Sequence, residues 1–167
     1  RGQVFGQGAK RWECRDEMKV SVIIPCFNVG QYISECIESV ENQDFQDIEI
    51  ICVDDGSNDE TPIILKQLQA SSRVPFQVLI QENLGATTAR NRGISECNGD
   101  YIQFLDADDI IKAAKIETQI KLAQKQDNPE IIVGSYQREN PNKEVIKTRE
   151  YSAAENYHDW LQMMQTD

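Results

Sequence analysis

Three carboxylates fall within four residues at Asp106-Ala107-Asp108-Asp109, directly after the apolar run Tyr101–Leu105. Hard divalent ions such as Mg²⁺ and Mn²⁺ take oxygen ligands and often share one or two carboxylates with a substrate's phosphates. The same cluster would suit a helix start, where solvated acids meet the positive end of the helix dipole. A second acidic pair, Asp54-Asp55, follows the apolar run Ile48–Val53 and leads into Gly56-Ser57. Adjacent carboxylates there are costly unless solvated, paired or hydrogen-bonded to a ligand. An ordinary turn would use the same residues for their backbone geometry.

Two further segments carry unusual groupings. Pro25-Cys26-Phe27-Asn28 ends an apolar run; a strand-end aromatic beside proline can make a flat shelf for a base, or simply a core Phe. Asn83-Leu84-Gly85 precedes Arg90 and Arg92. A loop amide, a tight-turn glycine and guanidinium groups near a helix start suit an anionic phosphate ligand, or a surface helix with solvated arginines.

The elements that must position these groups follow from periodicity. Val20–Ile24, Ile48–Val53, Phe76–Ile80 and Tyr101–Leu105 are short runs rich in β-branched and aromatic residues, expected as strands. A fifth strand is expected at Glu130–Gly134. Tyr32, Ile33, Cys36, Ile37 and Val40 recur at helical spacing, on a helix ending near Gln43. Thr61-Pro62 opens a helix through Leu68, Ala86–Glu96 forms another before Asn98-Gly99, and Ile116, Ile120 and Ala123 mark a fourth. Ser152-Ala-Ala-Glu155 is a capping-box pattern for a last helix with Tyr157, Trp160, Leu161 and Met164 inward. Alternating strands and helices predict an α/β fold: a mostly parallel, doubly wound sheet with helices on both faces. Strands apolar on both faces agree with that expectation. Ligands in such folds bind beyond the carboxyl ends of the strands, where every cluster above falls.

The 167 residues suffice for one domain with a real core. A net charge of -11 argues against nucleic acid as a partner, since phosphate backbones need clustered Lys and Arg. The five cysteines include no CxxC pair and there is one histidine, so zinc is not expected. Cys26, Cys36 and Cys52 lie among apolar residues as small core fillers, and an odd, scattered set suits a reducing cytoplasm. No run of about 18 apolar residues is present to span a membrane. Residues 1–17 lack a signal peptide's apolar middle and are expected to be a flexible leader or an expression remnant, with Met18 as the natural start and 18–167 as the domain.

Taken together and in order, PCFN, VDDGSND, NLGATTARNRG and FLDADD resemble the nucleotide-sugar half of family-2 glycosyltransferases of the GT-A fold, over roughly Val20–Ser135. The resemblance implies roles. Pro25 and Phe27 would line the base pocket, where the family more often has Tyr. Asp54 and Asp55 would meet the nucleoside, one at the uracil edge. Asn83 and Arg90 would hold the base or diphosphate region. Asp106 would lie near the ribose and Asp108 on Mn²⁺ or Mg²⁺, with Asp106 a second candidate ligand. The implied reaction moves a sugar from a UDP-sugar to an acceptor hydroxyl with inversion, in polysaccharide, lipopolysaccharide or glycan synthesis. Glycan or lipid-linked acceptors and a cytoplasmic site at the inner face of the membrane go with it.

Similar enzymes carry their general base on an acceptor-side segment well downstream of the DxD. Here Glu155 and Asp159 are candidates only by being acidic, so the acceptor part is expected to be missing or reduced. Two other functions compete. A non-catalytic sugar-nucleotide-binding module would use the same pocket. A phosphate-accepting receiver domain is also small, acidic and α/β, but its acidic pair follows the first strand and its phosphorylated Asp the third. Here the clusters follow strands two and four. Dinucleotide binding is a weak reading, because no GxGxxG follows the first strand.

Overall fold

Val20–Cys26 (β1) and Ile48–Asp54 (β2) are apolar on both faces and buried along nearly their whole length, so they must lie at the centre of a covered sheet. The computed structural model, which describes residues 18–125, 136–139 and 144–149, shows them there. They pair in parallel, flanked by Phe76–Ile80 (β3) and Tyr101–Phe104 (β4) in the order β3-β2-β1-β4. The flanking strands hold only half-buried and exposed residues. The expectation of strands apolar on both faces therefore holds for the central pair and not for β3 and β4, because the helices cover the sheet's middle more fully than its rims.

The helices α1 (Ile33–Glu41), α2 (Thr61–Ser71), α3 (Ala86–Glu96) and α4 (Lys115–Lys125) alternate with the strands. Ile33, Cys36, Ile37 and Val40 of α1, Leu65 of α2 and Ile116 and Ile120 of α4 join Val20, Val22, Ile24 and Cys26 in one core layer. Each fully buried Ile contributes about 1.5–3 kcal/mol. On the opposite face Ile23, Ile51 and Val53 pack against Ala89 of α3. At Gly93 an added Cβ would lie 2.5 Å from Cγ2 of Ile23, so only glycine lets α3 sit this close to the sheet. The doubly wound α/β architecture is thus present, with helices on both faces.

A buried polar network closes the amino-terminal end of the sheet. Glu49 receives hydrogen bonds from Ser21 Oγ and Asn98 N, each at 2.6 Å, and pairs with Lys19 Nζ at 2.6 Å. Burial pushes its carboxyl up, but the bonds from Lys19, Ser21 and Asn98 and the lysine's charge outweigh that and hold it below its usual value.

An antiparallel pair, Tyr136–Glu139 (β5) and Val145–Arg149 (β6), forms a separate two-stranded sheet that the apolar pattern did not announce. Residues 1–17, the expected strand Glu130–Gly134 and the expected last helix with Glu155 and Asp159 lie outside the described residues. Among the described residues no helix is long and apolar enough to cross a membrane.

Candidate functional site

The chain runs from β1 outward through β2 to β3, then returns to place β4 on the other side of β1. That reversal is a topological switch point, where open α/β sheets form a crevice beyond the strand ends. The loops after β1 and β4 flank it. Past β4 the chain makes a tight turn, with Asp109 N donating to Asp106 O at 3.0 Å: Leu105 and Ala107 are buried, while Asp106, Asp108 and Asp109 are exposed. The turn leaves Asp106 and Asp108 both facing outward, at the cleft. Leu105 N donates to Ile23 O at 3.1 Å, and the Cys36 thiol donates to Asp106 O at 3.7 Å. Burial first, and then the nearby charges of Cys26, Asp109, Asp108 and Asp106, pushes that thiol up to about 12, so it stays a neutral donor.

The following segment is fastened to α1. Gln43, buried, donates to Lys112 O at 2.9 Å and accepts from Ile116 N at 3.1 Å, while Ser39 Oγ accepts from Ile111 N at 3.2 Å. Although its side chain reaches solvent, partial burial of the Asp109 carboxyl raises it above its usual value, helped by the charges of Asp108 and Asp106. Crowded carboxylates of this kind favour a cationic neighbour.

One such cation is in place. Arg90 Nη2 of α3 lies 2.6 Å from Asp106 Oδ1. The start of α3 is set by Asp55, whose Oδ1 accepts from Gln81 Nε2 at 2.7 Å and Leu84 N at 2.8 Å, and whose Oδ2 accepts from Gly85 N at 2.8 Å. Burial pushes Asp55 up, yet these three donors prevail and lower it. Gly85 takes φ +89°, a conformation glycine adopts without strain. Arg92 turns elsewhere and donates to Ile80 O at 2.6 Å.

Pro25, Phe27, Asp55, Arg90, Asp106 and Asp108 together line one cleft of about 330 Å³, within the range of small-molecule sites. Asp54 and Asn83 are not among its lining residues. Asp54 is buried and accepts from Ser57 N at 3.1 Å, shaping its own turn. That turn presses on Asn83, because a Cβ on Gly56 (φ +73°) would lie 2.9 Å from Asn83 N. Helical spacing groups Tyr32 with Ile33, Cys36, Ile37 and Val40 on one face of α1. Instead it is the residue before the helix, is 47% exposed and lines the cleft with Phe27, itself 45% exposed. Its helical spacing from Cys36 concealed this, and its neighbour Gly30 was the available sign of a loop.

The model of the family described as glycosyl transferase family 2 matches residues 21–165. Glycosyltransferase GlyG of Streptococcus pneumoniae serotype 4 is 43% identical over 119 residues, which cover 70% of this chain and 38% of that protein. Putative glycosyltransferase EpsH of Bacillus subtilis is 35% identical over 84% of this chain and 39% of its own. The chain therefore spans less than half the length of these relatives. Among solved structures, S. aureus TarS 1-349 in complex with UDP-GlcNAc superposes with a TM-score of 0.64 at 25% identity, over 78% of this chain and 37% of TarS. A mannosyltransferase from Pyrobaculum calidifontis, solved with GDP-Man and Mn²⁺, shares the fold with a TM-score of 0.62 at 22% identity.

Proposed function

Because the chain belongs to glycosyl transferase family 2, we propose that it binds a nucleoside diphosphate sugar, UDP-linked, and presents the sugar to an acceptor hydroxyl. One observation carries this reading: Phe27, Asp55, Arg90, Asp106 and Asp108, drawn from four separated stretches of sequence, line a single cleft at the switch point. The relative solved with UDP-GlcNAc supports UDP as the nucleotide.

In this reading Phe27 and Tyr32 supply the aromatic surface for the base. Asp55 keeps the Leu84–Gly85 loop in place and borders the base. Arg90 and Asp106 meet the ribose and diphosphate side as a pair. Among the described residues no group of three or more His, Cys, Asp or Glu forms a protein-only metal cage. The exposed carboxylate of Asp108 fits the other arrangement, in which one or two carboxylates share Mg²⁺ or Mn²⁺ with substrate phosphates. Bound there, the ion would offset charge on the departing nucleoside diphosphate. Inversion needs the acceptor hydroxyl to attack opposite the leaving group while losing its proton to a carboxylate. Glu155 and Asp159 are the residues to test for that base. Glycan or lipid-linked acceptors, and a place at the inner face of a membrane, complete the proposal.

The test is a calorimetric titration of the chain with UDP in Mn²⁺, followed by an assay of sugar transfer from UDP-sugars to a panel of acceptors. UDP binding is expected. A chain that binds no nucleoside diphosphate with Mn²⁺ or Mg²⁺ present would overturn the reading.

A further inference from the structure

Three consecutive backbone N–H groups of the loop after β1 are captured by three side chains from the loop after β2 and the first residue of α2. Asn28 N donates to Ser57 Oγ at 2.9 Å, Val29 N to Thr61 Oγ1 at 2.9 Å, and Gly30 N to Asp59 Oδ2 at 3.1 Å. Asn28 Oδ1 returns one bond, accepting from Asn58 N at 3.0 Å, and Asp59 Oδ1 braces its own segment by accepting from Thr61 N at 2.9 Å. Asn28 holds a left-handed backbone, φ 53°, in which non-glycine residues are uncommon and Asn is among the most tolerant. A left-handed residue bends the chain sharply, and here the bend comes directly after Phe27. A half-exposed loop without regular secondary structure has no reason to hold one conformation unless its N–H groups are satisfied by fixed partners. Thr61 is a fixed partner, since it is fully buried at the start of α2.

We infer that Ser57, Asp59 and Thr61 are positioning residues: they lock the Phe27–Gly30 loop and so hold the aromatic surface of Phe27 and Tyr32 ready for the donor's base. This rests on the nucleotide-binding reading above and assigns a role to three residues that do not line the cleft. Preorganisation of this kind lowers the ordering cost of binding, so loosening the loop weakens the ligand that touches Phe27.

The experiment combines affinity with amide exchange on the whole chain. Asp59→Ala removes an exposed side chain and leaves the core untouched; Thr61→Val removes the buried hydroxyl in nearly the same volume. Each is expected to weaken UDP binding in Mn²⁺ roughly five- to tenfold, the size of one or two lost hydrogen bonds. In a Phe27→Ala background, Asp59→Ala is expected to add less than about a twofold further loss, because the two act through one surface. Hydrogen exchange should show Asn28, Val29 and Gly30 amides protected in the parent chain and fast in both variants. Full UDP affinity in Asp59→Ala and Thr61→Val, or an undiminished loss in the Phe27→Ala background, would overturn the inference. A parent chain with protected amides and no UDP affinity would instead refute the nucleotide reading, leaving the clamp itself intact; unprotected amides in the parent would refute the clamp.

Discussion

Arg90 Nη2 stands 2.6 Å from Asp106 Oδ1, joining α3 on one face of the sheet to the loop that follows β4. The two side chains are 33% and 57% exposed, so solvent screens the pair and its share of fold stability is small, about 0–1 kcal/mol. Its value is geometric: it fixes the outward carboxylate of Asp106 beside that of Asp108.

Arg90→Ala is therefore expected to melt within a few degrees of the parent while losing about tenfold in UDP affinity, the scale of one charge-assisted hydrogen bond. Thermal unfolding and calorimetry on the same sample check both halves. Unchanged affinity would mean that the pair only decorates the surface.

Asp108→Asn should erase the difference between UDP affinity in Mn²⁺ and in EDTA, since the amide oxygen is a poor partner for a hard cation and the charge is gone. The fold should survive, because Asp108 is exposed. A variant that still binds UDP more tightly with Mn²⁺ would assign the metal to other residues.

Asp55 gives a pH signature. Its folded carboxyl lies below the ordinary value of 3.8, held there by Leu84, Gln81 and Gly85 against the effect of burial. A depressed carboxylate stabilises the fold fully above its unfolded value and loses that contribution as pH falls through the folded one. Asp55→Ala should cost about 1–3 kcal/mol at neutral pH, as its donors lose a buried acceptor, and should flatten the fall in melting temperature as pH drops through 3.8 and below, where first the unfolded and then the folded carboxyl takes up a proton. Equal acid sensitivity in the parent and the variant would contradict the assignment.

Glu49 separates stability from binding. It sits at the amino-terminal end of β2, beside Lys19, Ser21 and Asn98, while the cleft lies at the carboxyl ends. Glu49→Gln should lower stability by roughly 1–3 kcal/mol, because a buried charge pair is broken on one side, and leave UDP affinity within about twofold, since well-separated sites act independently. Denaturant unfolding and UDP titration together decide it; a large loss of affinity would show that the two ends of the sheet are coupled.

Much of the fold was legible in the chain. The strands Ile48–Asp54 and Phe76–Ile80 and the helix Ala86–Glu96 lie where runs of β-branched residues and helical spacing put them, because burial and backbone preference act over a few residues. Tyr32 misled because helical spacing extends one residue past the true start of α1, and spacing says nothing of which side of a helix end meets solvent. Gln43 and Ser57, Asp59 and Thr61 passed as helix-end and turn residues, since their partners are remote: Ile116 lies 73 positions from Gln43, and Gly30 lies 29 from Asp59.

By itself the sequence determined the alternation of strands and helices and put each polar cluster at a strand's carboxyl end. Only the tertiary structure decided that β4 returns to pair with β1 and not with β3. That choice makes neighbours of the Phe27 and Asp106 loops and brings Arg90 onto Asp106, while the turn after β2 keeps Asp54 behind it and lets Asp55 reach the cleft. Local patterns arise from side chains within a turn or a strand of one another, whereas strand order is set by the sum of long-range packing on both faces of the sheet, which no short window of residues contains.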